Sequence, residues 1–354
     1  MHRLIPFTFV IGVIDIINFS QRKIAPIHKM TQIKNIGLFT SGGDSPGMNA
    51  AIRAVVRSAI YYNLEVTGIR RGFDGMIKGD MFPMDRRSVS NILQRGGTIL
   101  KTARSEQFKT IEGRKQAYEQ LKKHGIDALV AIGGDGTFRG AKTFGEEYDF
   151  PIVGLPGTID NDLCGTDFTI GYDTAINTVI EAVDKIRDTA ESHDRLFIVE
   201  VMGRDSGLIA LRTGIAAGAE AILIPESKTG LPAVFARLES SRKDKRSKII
   251  MLAENGEEGD AFEIGRQIKE RFPNYDTRIS ILGHIQRGGS PTCMDRVLAS
   301  RVGVAAVEAL IAGHRNELVG LIHNDIAYTP FENAIKHNAD INADFLKIVE
   351  ILAI

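Results

Sequence analysis

The sequence predicts an α/β protein of two doubly wound lobes, with mainly parallel sheets and helices on both faces. Three observations carry this. Short apolar runs bounded by glycine recur from residue 36 onward, segments of helical period separate them, and the runs are apolar nearly throughout instead of alternating. Continuous apolar strands between helices are what a parallel sheet covered on both faces requires.

The runs, in order, are 36–40 (IGLFT), 128–134 (ALVAIGG), 151–157 (PIVGLPG), 196–201 (LFIVEV), 221–226 (AILIPE), 248–254 (KIIMLAE), 279–284 (ISILGH) and 318–323 (LVGLIH). The clearest helix is DTAINTVIEAVDKIRDTA. Ile176, Val179, Ile180, Val183 and Ile186 fall on one face of it and Glu181, Asp184, Lys185 and Asp188 on the other. Asp173 reads as its N-cap. With 354 residues the chain is long for one core, which fits two lobes.

Hydrophobic residues at 43% and charged residues at 25% exclude a disordered or fibrous chain. Lys plus Arg and Asp plus Glu are both 44, so no net charge draws the protein to nucleic acid or to an anionic membrane. Cys164 and Cys293 are too few for a disulfide scaffold and lack metal-ligand spacing, so a reducing cytoplasm fits best. Residues 1–30 stand apart. The apolar run 4–19 is interrupted by Asp15, is shorter than a membrane span and has no small-residue cleavage site after it. Met30 precedes the regular pattern, so the segment reads as a misassigned start ahead of the alternatives of a disordered extension or an anchoring or interfacial helix, and is excluded from fold reasoning.

Ligands of open parallel sheets sit beyond the carboxyl ends of the strands. Three loops there carry unusual residues. SGGDSPGMNAAIR follows the first run, and a glycine turn before a helix N-terminus suits phosphate, although packing alone also asks for glycine. AIGGDGTFRGA (131–141) sets Asp135 between Gly134 and Gly136, where a carboxylate can hold Mg²⁺ against phosphate oxygens. The alternative is a simple Asp N-cap, which needs only one glycine. PGTIDNDLCGTD (156–167) gathers Asp160, Asp162 and Asp167 with no Lys or Arg to neutralise them. Polyphosphate and Mg²⁺ nearby would account for that, and Asp160 or Asp162 could then take the proton of an attacking hydroxyl. Cations stand near strand ends too: His284 and Arg287 in HIQRGGSP, Arg204 in VMGRDSG, and Arg104 in KTARSEQF. Arginine's fork suits phosphate, though any single Arg is more often a solvated surface group.

TSGGDSPGMNAAIR, GGDGT, PGTIDND, VEVMGR and LGHIQRGGSP, in this order, closely resemble the bacterial-type ATP-dependent 6-phosphofructokinases over residues 33–340. The resemblance implies a two-lobed subunit, a homotetramer, and Mg-ATP-dependent phosphorylation of the C1 hydroxyl of fructose 6-phosphate. It implies an ATP lobe of residues 31–169 with 285–336 and a sugar-phosphate lobe of 170–284 with 337–354. Asp160 would be the catalytic base, Thr158 would touch the transferring phosphoryl, Arg204 would be the transition-state cation, and Asp162 a supporting carboxylate. Gly43, Arg104, Ser105 and Gly134 to Thr137, including Gly136, would contact ATP, with Asp135 holding the metal. Met202, Gly203 and Glu254 would contact the sugar. His284 and Arg287 would meet its 6-phosphate, and Arg195 and Arg278 would reach in from a neighbouring subunit.

Gly136 and Gly157 stand where pyrophosphate-dependent members of the family carry Asp and Lys, which favours ATP as donor. An effector site for ADP or phosphoenolpyruvate would fall on Arg53, Arg57, Arg86, Ser90, Arg187, Gly218, Glu220, Lys245, Arg246 and Ser247. Ser247 departs from the family's usual His. The residues alone read equally as a solvated helix face and a charged turn. The readings weighed against an ATP-dependent kinase are a pyrophosphate-dependent or sedoheptulose-phosphate kinase and a catalytically silent regulatory subunit. The joint presence of base, metal ligand and cation argues against silence.

Overall fold

The computed structural model describes residues 33–227, 230–240, 247–256, 259–335 and 343–352. The segment 1–30, Lys245 and Arg246 lie outside the described residues.

The chain opens with β1 (Asn35–Thr40), α1 (Met48–Tyr61), β2 (Glu65–Ile69), α2 (Gly72–Lys78) and β3 (Met81–Met84). It continues through α3 (Ile111–Lys123), β4 (Ala128–Gly133), α4 (Asp135–Tyr148) and β5 (Ile152–Pro156). A second set follows: α5 (Tyr172–Ser192), β6 (Arg195–Val201), α6 (Leu208–Ala216), β7 (Ala221–Leu223), α7 (Leu231–Ser240), β8 (Lys248–Ala253), α8 (Ala261–Arg271) and β9 (Asp276–Ile281). α9 (Cys293–Ile311), β10 (Glu317–Ile322), β11 (Asp325–Pro330), α10 (Phe331–Ala334) and α11 (Ala343–Leu352) complete it.

These strands make two sheets. One runs β11-β10-β5-β4-β1-β2-β3, parallel except at its two edges, and the other runs β7-β8-β6-β9, parallel throughout. Alternate residues of each strand feed opposite faces. Leu38, Val130 and Val153 pack under α1 and α9, whereas Phe39, Leu129 and Ile152 join the aromatic layer of Phe73, Phe138 and Phe144. In the smaller sheet Val199 and Met251 face α5 and α6, while Ile198 and Ile250 face α7 and α8. Two apolar faces per strand explain the continuous runs in the sequence.

The eight apolar runs all form strands, and the doubly wound α/β reading holds. β2, β3 and β11 were not among them, because Pro83 interrupts β3 and β11 is a half-exposed edge. On α5, Val179 and Val183 are buried and Glu181, Asp184, Lys185 and Asp188 exposed, as the period requires. Its cap differs from expectation: Gly171 is the N-cap and Asp173 lies inside the first turn. Among the described residues no helix is long and apolar enough to cross a membrane.

The larger sheet winds outward in opposite directions from β1 and β4, so the switch point, where ligands gather, lies beyond their carboxyl ends.

Candidate active site

Two glycine turns flank that switch point. Ser41 N–H donates to Ile132 O at 3.0 Å, fixing the turn after β1 beside the end of β4. Gly42 takes φ +84°, a conformation that favours glycine. Thr102 Oγ1 donates to Gly42 O at 2.6 Å and so ties the exposed Arg104, which stands in the long connection between β3 and α3 and not at a strand end, to the same turn. Ser105 has a local task, since its hydroxyl accepts from Phe108 N at 3.3 Å. Beyond β4, Gly134 caps α4 and Asp135 is the first helical residue, buried at 7% exposure and paired with Arg139 Nε at 2.8 Å. The simple Asp N-cap is therefore not the arrangement found. Thr137 Oγ1 is buried and meets no hydrogen-bond partner among the described residues. Nothing stands within 4 Å of a Cβ built on Gly136.

The acidic loop after β5 is closed on itself. Gly157 bridges Ile170, Thr169 Oγ1 donates to Thr158 O at 2.7 Å, and Asn161, at φ +52°, accepts from Thr169 N at 2.7 Å. This folding turns Asp160 and Asp162 inward, at 7% and 5% exposure. Asp167 goes elsewhere: its carboxylate accepts from His323 N at 2.7 Å and pins the loop to the β10–β11 hairpin. Thr158 Oγ1 accepts from Asp160 N at 3.2 Å and donates to Asp160 Oδ2 at 3.3 Å. Asp160 Oδ1 accepts from no described residue. Burial and the neighbouring Asp162 push the Asp160 carboxyl up to about 6, against the opposing pull of Arg287 and the Thr158 hydroxyl.

The smaller sheet brings its strand ends to the same place. Beyond β6 the backbone N–H groups of Gly203 and Arg204 donate to Glu254 Oε1 at 3.3 and 2.9 Å, so the residue after β8 shapes the turn after β6. Arg204 takes φ +57°, rare for a residue with a side chain, and its Nη1 lies 4.0 Å from Asp135 Oδ2. Met202 is buried behind it. After β9 a short 3-10 helix, Gly283–Arg287, carries an exposed His284 and a half-buried Arg287, whose Nη1 donates to Asp44 O at 3.1 Å.

Arg195 and Arg278 are not in this cluster. Both pair with Asp276 Oδ2, at 2.8 and 3.0 Å, and Arg195 begins the strand whose far end leads to Arg204. Seven residues of strand set the two roughly 20 Å apart.

The effector-site expectations divide. Arg53 and Arg57 line a groove of about 410 Å³ with Tyr61, Tyr62 and Glu308 between α1 and α9. Partial burial and the nearby Arg57 lower the Arg53 guanidinium below its ordinary range. Arg86 and Ser90 form an exposed turn after β3. Arg187 donates to Ala217 O beside Gly218, Glu220 accepts from Ile249 N at 2.6 Å, and the Ser247 hydroxyl lies 3.5 Å from Glu191, all at the amino end of the smaller sheet. No hydrogen bond or ion pair joins these groups to Arg53 and Arg57 among the described residues.

Sequence reading missed several residues that build the site. Arg139 occupies one oxygen of Asp135 and could have been noticed at the i, i+4 spacing. Asn49, buried in α1, donates to Arg95 O and Gly96 O at 3.1 Å and accepts from Ile99 N at 2.8 Å. That loop repeats a motif: Gln-Arg-Gly-Gly occurs at 94–97 and at 286–289. A Cβ at Gly96 would run into the Gly289 backbone, so the two copies pack together. Asp295 has the Thr-x-x-Asp spacing of a helix start at 292–295, but nothing local points to its contact with α5.

Comparison with known proteins agrees with this geometry. The phosphofructokinase family model matches residues 35–310. The chain is 54% identical over 326 residues to ATP-dependent 6-phosphofructokinase 2 of Bacteroides thetaiotaomicron, covering 92% of this chain and all of that one. It is 55% identical over 323 residues to ATP-dependent 6-phosphofructokinase 1 of Thermus thermophilus, covering 91% and 100%. A phosphofructokinase structure from Saccharomyces cerevisiae superposes with TM-score 0.80 at 37% identity, over 91% of this chain and 48% of the yeast chain. A pyrophosphate-dependent phosphofructokinase from Marinobacter aquaeolei shares the fold, with TM-score 0.79 at 21% identity over 91% and 92%.

Proposed function

The chain belongs to the phosphofructokinase family, and from that premise we propose that it transfers the γ-phosphoryl of ATP to the C1 hydroxyl of D-fructose 6-phosphate. The products are fructose 1,6-bisphosphate and ADP, a step of glycolysis.

The observation that carries this reading is Asp160, a buried carboxyl with one oxygen that no described residue engages, pushed up to about 6 between the loops of both sheets. Such a group is ionised at neutral pH yet basic enough to take a hydroxyl proton as the new O–P bond forms. Thr158, held against it, contacts the moving phosphoryl, and Arg204 faces the charge that builds as the bond to ADP breaks. Asp162 supports the base by keeping its proton affinity high. The larger lobe, residues 31–169 with 285–336, holds ATP on Gly43, Arg104, Ser105 and Gly134 to Thr137. The smaller lobe, 170–284 with 337–354, places the sugar on Met202, Gly203 and Glu254, and His284 and Arg287 grip its 6-phosphate.

Asp135, buried at the start of α4, fits Mg²⁺, and the buried Thr137 hydroxyl two residues on has no partner among the described residues. That ion asks for one or two carboxylates and takes its other ligands from phosphate and water. When bound it offsets charge on the phosphate oxygens. Open space at Gly136 supports ATP over pyrophosphate. Arg195 begins β6, at the end away from Arg204, and both it and Arg278 are turned to Asp276, which supports a homotetramer with sites shared between subunits. Arg53 and Arg57 with Arg187, Glu220 and Ser247 make the other shared site, for ADP or phosphoenolpyruvate.

The test is fructose 1,6-bisphosphate formation by the purified protein with Mg²⁺, fructose 6-phosphate and either donor. Product with ATP and not with pyrophosphate is expected. Product with pyrophosphate alone, or with neither, overturns the reading.

A further inference from the structure

We propose that Asp295 is a positioning residue that locks the Asp160 loop to the loop carrying His284 and Arg287. It is 1% exposed and sits in the first turn of α9, six residues beyond Gly289, the last glycine of the second loop. Its carboxylate is spent entirely on the other segment. Oδ1 accepts from Gly171 N at 2.8 Å, while Oδ2 accepts from Thr174 N at 2.8 Å and Thr174 Oγ1 at 2.5 Å.

Those donors are the start of α5, which is also the exit of the acidic loop. α5 has no cap of its own, since Gly171 carries no side chain. The missing cap comes from more than a hundred residues away, and a carboxylate there also answers the helix dipole. The return connection is equally direct. Thr292 N donates to Thr174 Oγ1 at 3.0 Å, and Thr292 Oγ1 accepts from Asp295 N at 3.2 Å. The Thr174 hydroxyl thus both donates to and accepts from the start of α9, through Asp295 and Thr292.

The tie reaches the reacting groups through short, closed backbone. Gly171 follows Ile170, which bridges Gly157, and Thr169 holds Thr158 O. On the other side Thr292 follows Pro291 and the Arg287 loop. Loosening Asp295 therefore moves the base relative to the sugar-phosphate cations and leaves the turn at Gly134 to Thr137 untouched. It also admits water to Asp160, whose proton affinity is set by burial and by Asp162, Glu254 and Arg287.

This inference rests on the function proposed above. Asp295→Asn supplies one acceptor oxygen where three donors converge, and Thr174→Val removes the shared hydroxyl while Thr174→Ser restores it. In the full-length protein, Asp295→Asn and Thr174→Val are expected to lower kcat by about 10- to 100-fold and raise the KM for fructose 6-phosphate, with the KM for ATP within about twofold. The acid limb of kcat against pH should move down by about half a pH unit or more as Asp160 gains water. Thr174→Ser should behave as wild type. Amide hydrogen exchange, which needs no activity, should speed up in 158–171 and 283–292. A wild type inactive with either donor sinks the function reading, and exchange still decides the tie. Variants with a lower Tm but unchanged kinetics and acid limb, or with unchanged exchange in both loops, would overturn the inference.

Discussion

Arg287 lies against Gly43. A Cβ at Gly43 would fall inside the van der Waals shell of Arg287 Nη1 and 3.0 Å from its Cζ, so the phosphate turn of one sheet and a cation beyond the other share a wall. Gly43→Ala should therefore push the guanidinium off Asp44 O and away from the sugar-phosphate position. Arg287 is the flexible end of that contact, so folding survives. Losing a charged hydrogen bond of about 1.5–3 kcal/mol corresponds to a KM for fructose 6-phosphate about 10- to 100-fold higher. Steady-state kinetics with a thermal melt checks this, and a normal KM would mean that Arg287 does not bind substrate.

Asp160 links stability and turnover with opposite signs. Its carboxyl is raised from 3.8 to about 6 in the folded protein, so the folded state keeps a proton that the unfolded chain has released. The contribution to stability is fully present below pH 3.8 and is lost as pH rises through about 6. At about pH 8, Asp160→Asn should raise stability by up to about 3 kcal/mol while cutting kcat by at least about 100-fold. Near pH 4 the two proteins should melt together. A variant that is less stable at pH 8 would show that the buried charge is not the cost inferred here.

Much of this was legible in the sequence because parallel strands and glycine turns are local signals. Asp160, Asp135 and Arg204 each stand next to the strand that positions them. The unread part is non-local. Asp173 looked like a cap because nothing nearby announces that Asp295 supplies one, and the role of Glu254 in holding the Gly203–Arg204 turn depends on β8 lying beside β6. The edge strands β3 and β11 escaped notice for a different reason: each packs one face at most, so neither builds an apolar run.

The two glycines read from sequence as donor-selecting have different physical standing. Gly136 faces open space in the first turn of α4, where an acidic side chain suits the helix N-terminus. Gly136→Asp should fold normally and raise the KM for ATP at least tenfold, since a like charge against phosphate costs several kcal/mol, or about tenfold per 1.4 kcal/mol. At Gly157 a Cβ would lie 2.9 Å from Ile132 Cγ2 and 3.0 Å from Met48 Cε. Gly157→Ala should accordingly cost about 1–3 kcal/mol in overpacking with little change in donor preference. Urea unfolding and donor kinetics on both variants separate the cases, and an unstable Gly136→Asp would contradict the open space.

Arg195 and Arg204 stand at opposite ends of β6, and the carboxylate that Arg195 shares with Arg278 fixes it there. If each site takes Asp160 from one copy and Arg195 from its neighbour, Arg195→Ala and Asp160→Asn should each be nearly inactive alone. Arg195→Ala should lose fructose 6-phosphate affinity, and Asp160→Asn should lose kcat. Co-refolding equal amounts then creates sites with both wild-type groups, about a quarter of the total for random pairing in a symmetric oligomer. Activity near that fraction of wild type, rising with protein concentration, is the expected outcome. Mixtures no more active than the parents would remove Arg195 from a site shared with a neighbouring copy's Asp160.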